Sequence, residues 1–150
     1  MRWLKGLATL ALWGVMSVQA QNPALPTGLW LAFDDDGKVA QALVRISERD
    51  GRLVGHIAEV LDPEASPNEV CKQCPDQRKG MPLKGLQIIS NMNASANMGS
   101  FKGGLILDPQ EGKEYRLEMD YQAGSKLLKL RGYWGPFWRT QVWQRPPEAR

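Results

Sequence analysis

Apolar and polar residues alternate along much of the chain with a period of two, the spacing of a strand that buries one face. Lys113–Tyr121 alternates most cleanly: Tyr115, Leu117, Met119 and Tyr121 share one face, and Arg116, Glu118 and Asp120 the other. Over Val39–Glu48, Ala40, Ala42, Val44 and Ile46 face one way and Gln41, Arg45 and Ser47 the other. Further strand-like runs cover 28–33, 52–60, 85–90, 103–108, 126–133 and 137–145. Turn signals separate them: Asp34-Asp35-Asp36-Gly37, Asp50-Gly51, Asp108-Pro109-Gln110-Glu111-Gly112 and Ala123-Gly124. Glycine accepts positive φ without a Cβ clash, which suits it to tight hairpins. No long helical period interrupts the series. The pattern predicts an all-β domain over 28–145, a small antiparallel up-and-down barrel of about eight strands.

Two segments break the alternation. Leu61–Lys84 holds Pro63, Pro67, Pro75 and Pro82 with Cys71-Lys72-Gln73-Cys74. It is predicted to leave the barrel as an irregular excursion containing one short helical turn. Asn91–Lys102 is expected to be a polar loop carrying Met92, Met98 and Phe101. The acidic run Asp34–Asp36 invites a calcium reading, but the later oxygen ligands of an EF-hand loop are missing, and a turn is the simpler reading. His56, the single histidine, falls on the 52–60 strand in line with Val54, Ala58 and Val60, which predicts a structural or rim position.

The amino terminus changes the compartment. Arg2 and Lys5 precede an uncharged, largely apolar run from Leu7 to Val18, followed by Val18-Gln19-Ala20. That is the layout of a cleavable secretory signal over residues 1–20, with 21–27 a short lead-in and 146–150 a tail. The apolar run falls well short of the roughly 20 residues that span a bilayer, so no stable membrane insertion is expected. Gln21 follows the cut, where a lipid-anchored protein would carry cysteine. Cleavage takes Arg2 and Lys5 from the 19 basic residues, leaving 17 against 16 acidic ones and a net charge of +1. The charges are interspersed, which speaks against nucleic acid as a partner. The expected location is the periplasm.

The last strand region is the aromatic centre of the chain: Trp134, Trp138 and Trp143 lie within Leu130–Arg145, beside Arg139 and Arg145. In an up-and-down barrel the first and last strands pair antiparallel, which brings Trp30 towards Trp143 and Arg145. Gly28, Trp30, Trp143 and Arg145 are therefore expected to close the barrel, with a guanidinium on an indole face. Gly28-Leu29-Trp30 with a late arginine resembles the lipocalin and wider calycin pattern. More specifically, the chain resembles bacterial domain-of-unknown-function family 2147. Its stretches Gly28-Leu-Trp30, Arg52-Leu-Val-Gly55, Cys71-Lys-Gln-Cys74, Gly104-Leu-Ile-Leu-Asp-Pro109, Leu130-Arg-Gly-Tyr133 and Arg139-Thr-Gln-Val-Trp143-Gln-Arg145 carry the resemblance in this order. The resemblance implies an exported lipocalin-like or streptavidin-like barrel and no established activity.

Three chemistries fit Cys71 and Cys74: a local disulfide in an oxidising compartment, a redox pair, or half of a zinc site. The structural disulfide is the preferred reading, because no strand-helix-strand pattern surrounds the pair and the chain has only one histidine to complete a metal set. No phosphate loop, zincin motif or nucleophile elbow is present, so no catalytic residues are assigned, no cofactor is called for, and the protein is read as a binder rather than an enzyme. An eight-stranded barrel holds one small ligand at most. Val44, Tyr115, Leu117 and Met119, with Tyr133, Trp134 and Trp138 at the end opposite Trp30, are the expected lining for a partly apolar or amphipathic molecule. The competing reading is a cell-envelope interaction module: a solidly packed barrel that meets a protein partner through its loops and exposed aromatics. A thiol-redox enzyme is the third. No motif sets an oligomeric state.

Overall fold

A computed structural model describes residues 24–95 and 97–148. The predicted export signal, residues 1–20, lies outside the described residues, as do residues 21–23 of the lead-in. Eight strands form one closed antiparallel barrel in chain order: β1 (Gly28–Phe33), β2 (Ala40–Arg49), β3 (Arg52–Val60), β4 (Gln87–Asn93), β5 (Ser100–Asp108), β6 (Lys113–Asp120), β7 (Leu127–Trp134) and β8 (Phe137–Gln144). Closure removes the free sheet edges that an open antiparallel sheet would expose. The β1–β2, β3–β4, β5–β6 and β7–β8 connections gather at one end. The remaining turns and both chain ends gather at the other.

The two halves of the barrel interior are filled differently. Towards the chain ends, Trp30, Ile46, Leu53, Ile89, Met92, Phe101, Met119, Leu128 and Trp143 are buried and pack into one cluster. Inward glycines let these bulky groups interlock. A Cβ added at Gly55 would stand 2.9 Å from Ile89, and one at Gly104 2.9 Å from Met92. In the other half, Ala32, Ala42 and Gly132 occupy inward positions with little volume. A Cβ at Gly132 would find its nearest neighbour, Tyr115, at 3.4 Å. The barrel is therefore solid at one end and hollow at the other.

Three expectations need correction. β4 runs on to Asn93 and β5 begins at Ser100, so the predicted 91–102 loop shrinks to 94–99. Met92 and Phe101 are fully buried, and only Met98 of that group is exposed. Asn91 and Asn93 take the outward positions on either side of Met92, so their polarity reports a strand face rather than a loop. On β3 the core-facing residues are Leu53, Gly55 and Ile57, and His56 points away from the core opposite Arg45. A register shift between the Val44–Ile57 and Leu43–Glu59 pairs leaves Ala58 unpaired, and Val60 comes opposite Ala42 beyond it. The bulge moves the strand's apolar face by one residue.

The Leu61–Leu86 excursion contains one 3-10 turn, Asp76–Arg78. Cys71 and Cys74 are joined by a disulfide and are buried. Paired backbone bonds, Cys71 N–H to Met81 O and Gly80 N–H to Cys71 O, both 2.8 Å, hold the staple in place. The excursion packs on the β5–β6 turn, where Gly112 approaches the Gln73 carbonyl so closely that a Cβ would not fit. Arg78 adds ion pairs of 2.8 Å to Asp76 and 2.7 Å to Glu114 on β6.

Candidate functional site

The hollow end is a cup of about 750 Å³, inside the range of small-molecule sites. Its floor is apolar: Val44, Ile57, Leu117, Leu130 and Trp143 form the top of the filled half. The wall is made by Ala32, Ala42, Ile106, Tyr115, Gly132 and Gln141, which alternate on their strands with outward residues. The mouth belongs to the β1–β2, β5–β6 and β7–β8 turns, with Asp34–Asp36, Pro109–Glu111, Lys113, Trp134, Phe137, Trp138 and Arg139 around it. The disulfide-stapled excursion steadies this mouth through its contact with the β5–β6 turn.

Charge at the mouth is arranged in pairs. The Tyr115 hydroxyl donates to Glu111 Oε2 at 2.8 Å. That bond first, and the Lys113 charge second, hold the Glu111 carboxyl below its ordinary pKa, while the same carboxylate pushes the Tyr115 phenol up. The Lys113 ammonium lies 3.7 Å from Glu111 Oε2 and 5.9 Å from the centre of the Trp134 ring. Arg139 Nη1 donates to Asp35 Oδ1 at 3.0 Å and so ties β8 to the first hairpin. Asp34 accepts the backbone N–H groups of Lys38 and Val39 at 2.7 and 3.2 Å, which lowers its pKa and fixes the turn.

Of the seven residues expected to line the cavity, Val44, Leu117, Tyr115, Trp134 and Trp138 stand at it. Val44 and Leu117 belong to the floor, Tyr115 to the wall, and Trp134 and Trp138 to the mouth. Tyr133 and Met119 do not. Period two forbids adjacent residues of β7 from facing the same way: Gly132 and Trp134 face in, so Tyr133 faces out. Its hydroxyl donates to Glu118 Oε2 at 3.1 Å, and the Arg116 guanidinium sits 5.4 Å from its ring centre. Met119 points inward but lies below the floor, paired with Phe101 and Leu130 in the filled half. Sequence reasoning missed Ala32, Ala42 and Gly132, which create the space. The signal was present: small residues at inward strand positions, all towards one end.

At the opposite end Arg145 closes the barrel. Its Cζ lies 3.8 Å from the centre of the Trp30 ring, and its guanidinium donates to Leu29 O at 3.1 Å and Thr27 O at 2.9 Å. Trp30 donates from Nε1 to Pro26 O at 2.9 Å and meets Tyr121 edge-on at 5.8 Å. Gly28, at φ 105°, is required here, because a Cβ would stand 2.8 Å from Arg145 Nη1 and L-residues avoid that backbone region. Trp143 is buried in the same cluster as Trp30. His56 lies away from the cup, with its pKa lowered first by burial and then by the Arg49 charge. Among the described residues no three His, Cys, Asp or Glu side chains converge to hold a metal ion.

An eight-stranded, chain-order barrel with one hollow end, sealed at the other by an arginine over a tryptophan, is a lipocalin-like barrel. The chain belongs to the family described as "Uncharacterized protein conserved in bacteria (DUF2147)", which it matches over residues 28–145. Among solved structures it is similar to protein HP1028 from the human pathogen Helicobacter pylori, described as belonging to the lipocalin family. The TM-score is 0.67 at 19% sequence identity, over 85% of this chain and 84% of that one. No curated protein matches the chain.

Proposed function

We propose that this protein is an exported binder or carrier of a small, partly apolar molecule, held in the hollow end of the barrel and working in the periplasm. The observation that carries the reading is the cup itself: an apolar floor, small wall residues and a polar, aromatic mouth on a rigid closed sheet. An apolar floor open to water through the mouth gains by being covered with the apolar part of a ligand. The periplasmic assignment draws on the basic and apolar layout of residues 1–20 and on a disulfide that suits an oxidising compartment. Binding is preferred to catalysis because His56 lies away from the cup and both cysteines are joined and buried.

A second reading, an envelope interaction module, draws on Trp134, Phe137 and Trp138, which are 65%, 66% and 65% exposed on one hairpin. Its premise of a solid barrel does not fit the hollow end. Native mass spectrometry of the mature protein, purified gently from its own periplasm, separates the two. A discrete extra mass that departs on denaturation supports the carrier. Bare protein that stays bare after exposure to a total envelope lipid and metabolite extract refutes it.

A further inference from the structure

The charges that line the cup are unbalanced. Five carboxylates, Asp34, Asp35, Asp36, Asp108 and Glu111, line it against two basic groups, Lys113 and Arg139. Neither basic group is free. Arg139 is paired with Asp35, and Lys113 is seated between Glu111 and the face of Trp134. That seat is informative, because it holds an ammonium ion by the two interactions that recognise one: a carboxylate and an indole face. The protein's own lysine thus fills the place at the mouth where a ligand's head would lie once its apolar part rested on Val44, Leu117 and Leu130.

Resting on the carrier reading above, we propose that the ligand is a cationic amphiphile, with an apolar body in the cup and an ammonium head at Trp134 and Glu111. The head replaces the Lys113 ammonium, which swings out to solvent. Lys113 is an exposed residue on a flexible stem and is freed at little cost. An anionic head would instead meet an excess of negative charge, focused by the low-dielectric walls of the cup. A neutral head would leave the Lys113 pairs as they are and gain nothing from them.

The test uses three probes of one tail length below their micellar concentrations, decyltrimethylammonium, decyl maltoside and decyl sulfate, titrated calorimetrically into the mature protein. Gly132→Leu, which fills the wall of the cup, identifies binding elsewhere on the surface. Decyltrimethylammonium is expected to bind about tenfold more tightly than decyl maltoside, with decyl sulfate weakest. Glu111→Gln should remove most of that preference, and Lys113→Met should strengthen ammonium binding. If decyl maltoside binds in the cup as tightly as the cation, or Glu111→Gln leaves the ratio unchanged, the charge selectivity is refuted and the carrier reading stands. If no probe binds in the cup, both fall.

Discussion

Removing the Arg145 side chain tests what seals the barrel. In Arg145→Ala the Trp30 face loses its guanidinium at 3.8 Å, and the carbonyls of Leu29 and Thr27 lose donors at 3.1 and 2.9 Å. The cation–π contact is worth about 0.5 to 2 kcal/mol. Each hydrogen bond adds about 0.5 to 1.5 kcal/mol, the lower end applying to Thr27 because water can replace that donor. The expected loss is therefore about 2 to 4 kcal/mol, a large share of the roughly 5 to 15 kcal/mol that holds a domain folded. Urea unfolding followed by tryptophan fluorescence measures it. With a slope of about 2 kcal/mol per molar, the middle of the ordinary range, the midpoint should fall by about 1 to 2 M at unchanged slope. Arg145→Lys should fall between, since an ammonium keeps the charge and gives up the planar fork. A midpoint for Arg145→Ala within experimental error of the wild type would refute the sealing role, leaving Trp30 as ordinary core.

Gly132→Leu should leave the urea midpoint at or above the wild-type value, because the backbone there carries no positive φ and the side chain enters empty space; a lowered midpoint would mean the cup is not open. Replacing Cys71 and Cys74 together by alanine should cost about 2 kcal/mol by loop-closure entropy and leave ligand binding at saturating concentration intact. Lost function at unchanged thermal stability would point to thiol chemistry instead. Because burial and Arg49 lower the His56 pKa, the unfolded chain binds more protons than the folded one below about pH 6.5, the ordinary histidine value. Stability should thus fall as the pH drops through 6.5 towards the depressed folded value. In His56→Gln that part of the pH profile should be flat, and an unchanged slope would assign the effect to other groups.

The order and kind of all eight strands were legible in the sequence, because hairpin barrels write their period and their turns locally. What was not legible depended on events between strands. The bulge at Ala58 reversed the apolar face of β3, and no single strand records a bulge that its partner imposes. Met92 and Phe101 looked like loop residues because a short, kinked hairpin brought polar neighbours close to them in sequence. In the cup, reasoning by apolar size named Val44 and Leu117 at the floor and Trp134 and Trp138 at the mouth, but it took in Met119 from below the floor and put Tyr133 beside Trp134, against the alternation that had identified the strand. It also sought a cavity through large residues, when Ala32, Ala42 and Gly132 make one by what they lack.

The seam between β1 and β8 sets the order in which this molecule comes together. Every other ladder joins strands that follow one another in the chain, and all but β3–β4 are linked by short turns. Among the described residues the seam holds one register pair, Leu31 with Gln144, and the Arg145–Leu29 bond there joins residues 116 positions apart. Loop closure over that distance is repaid only after the intervening strands have formed a curved sheet. The ring should therefore shut last and part first, with amide protons of β1 exchanging ahead of those in the β2–β3 and β5–β6 ladders. Arg145 and Trp30 act as the clasp of a bracelet: a small contact that turns a twisted ribbon into a vessel.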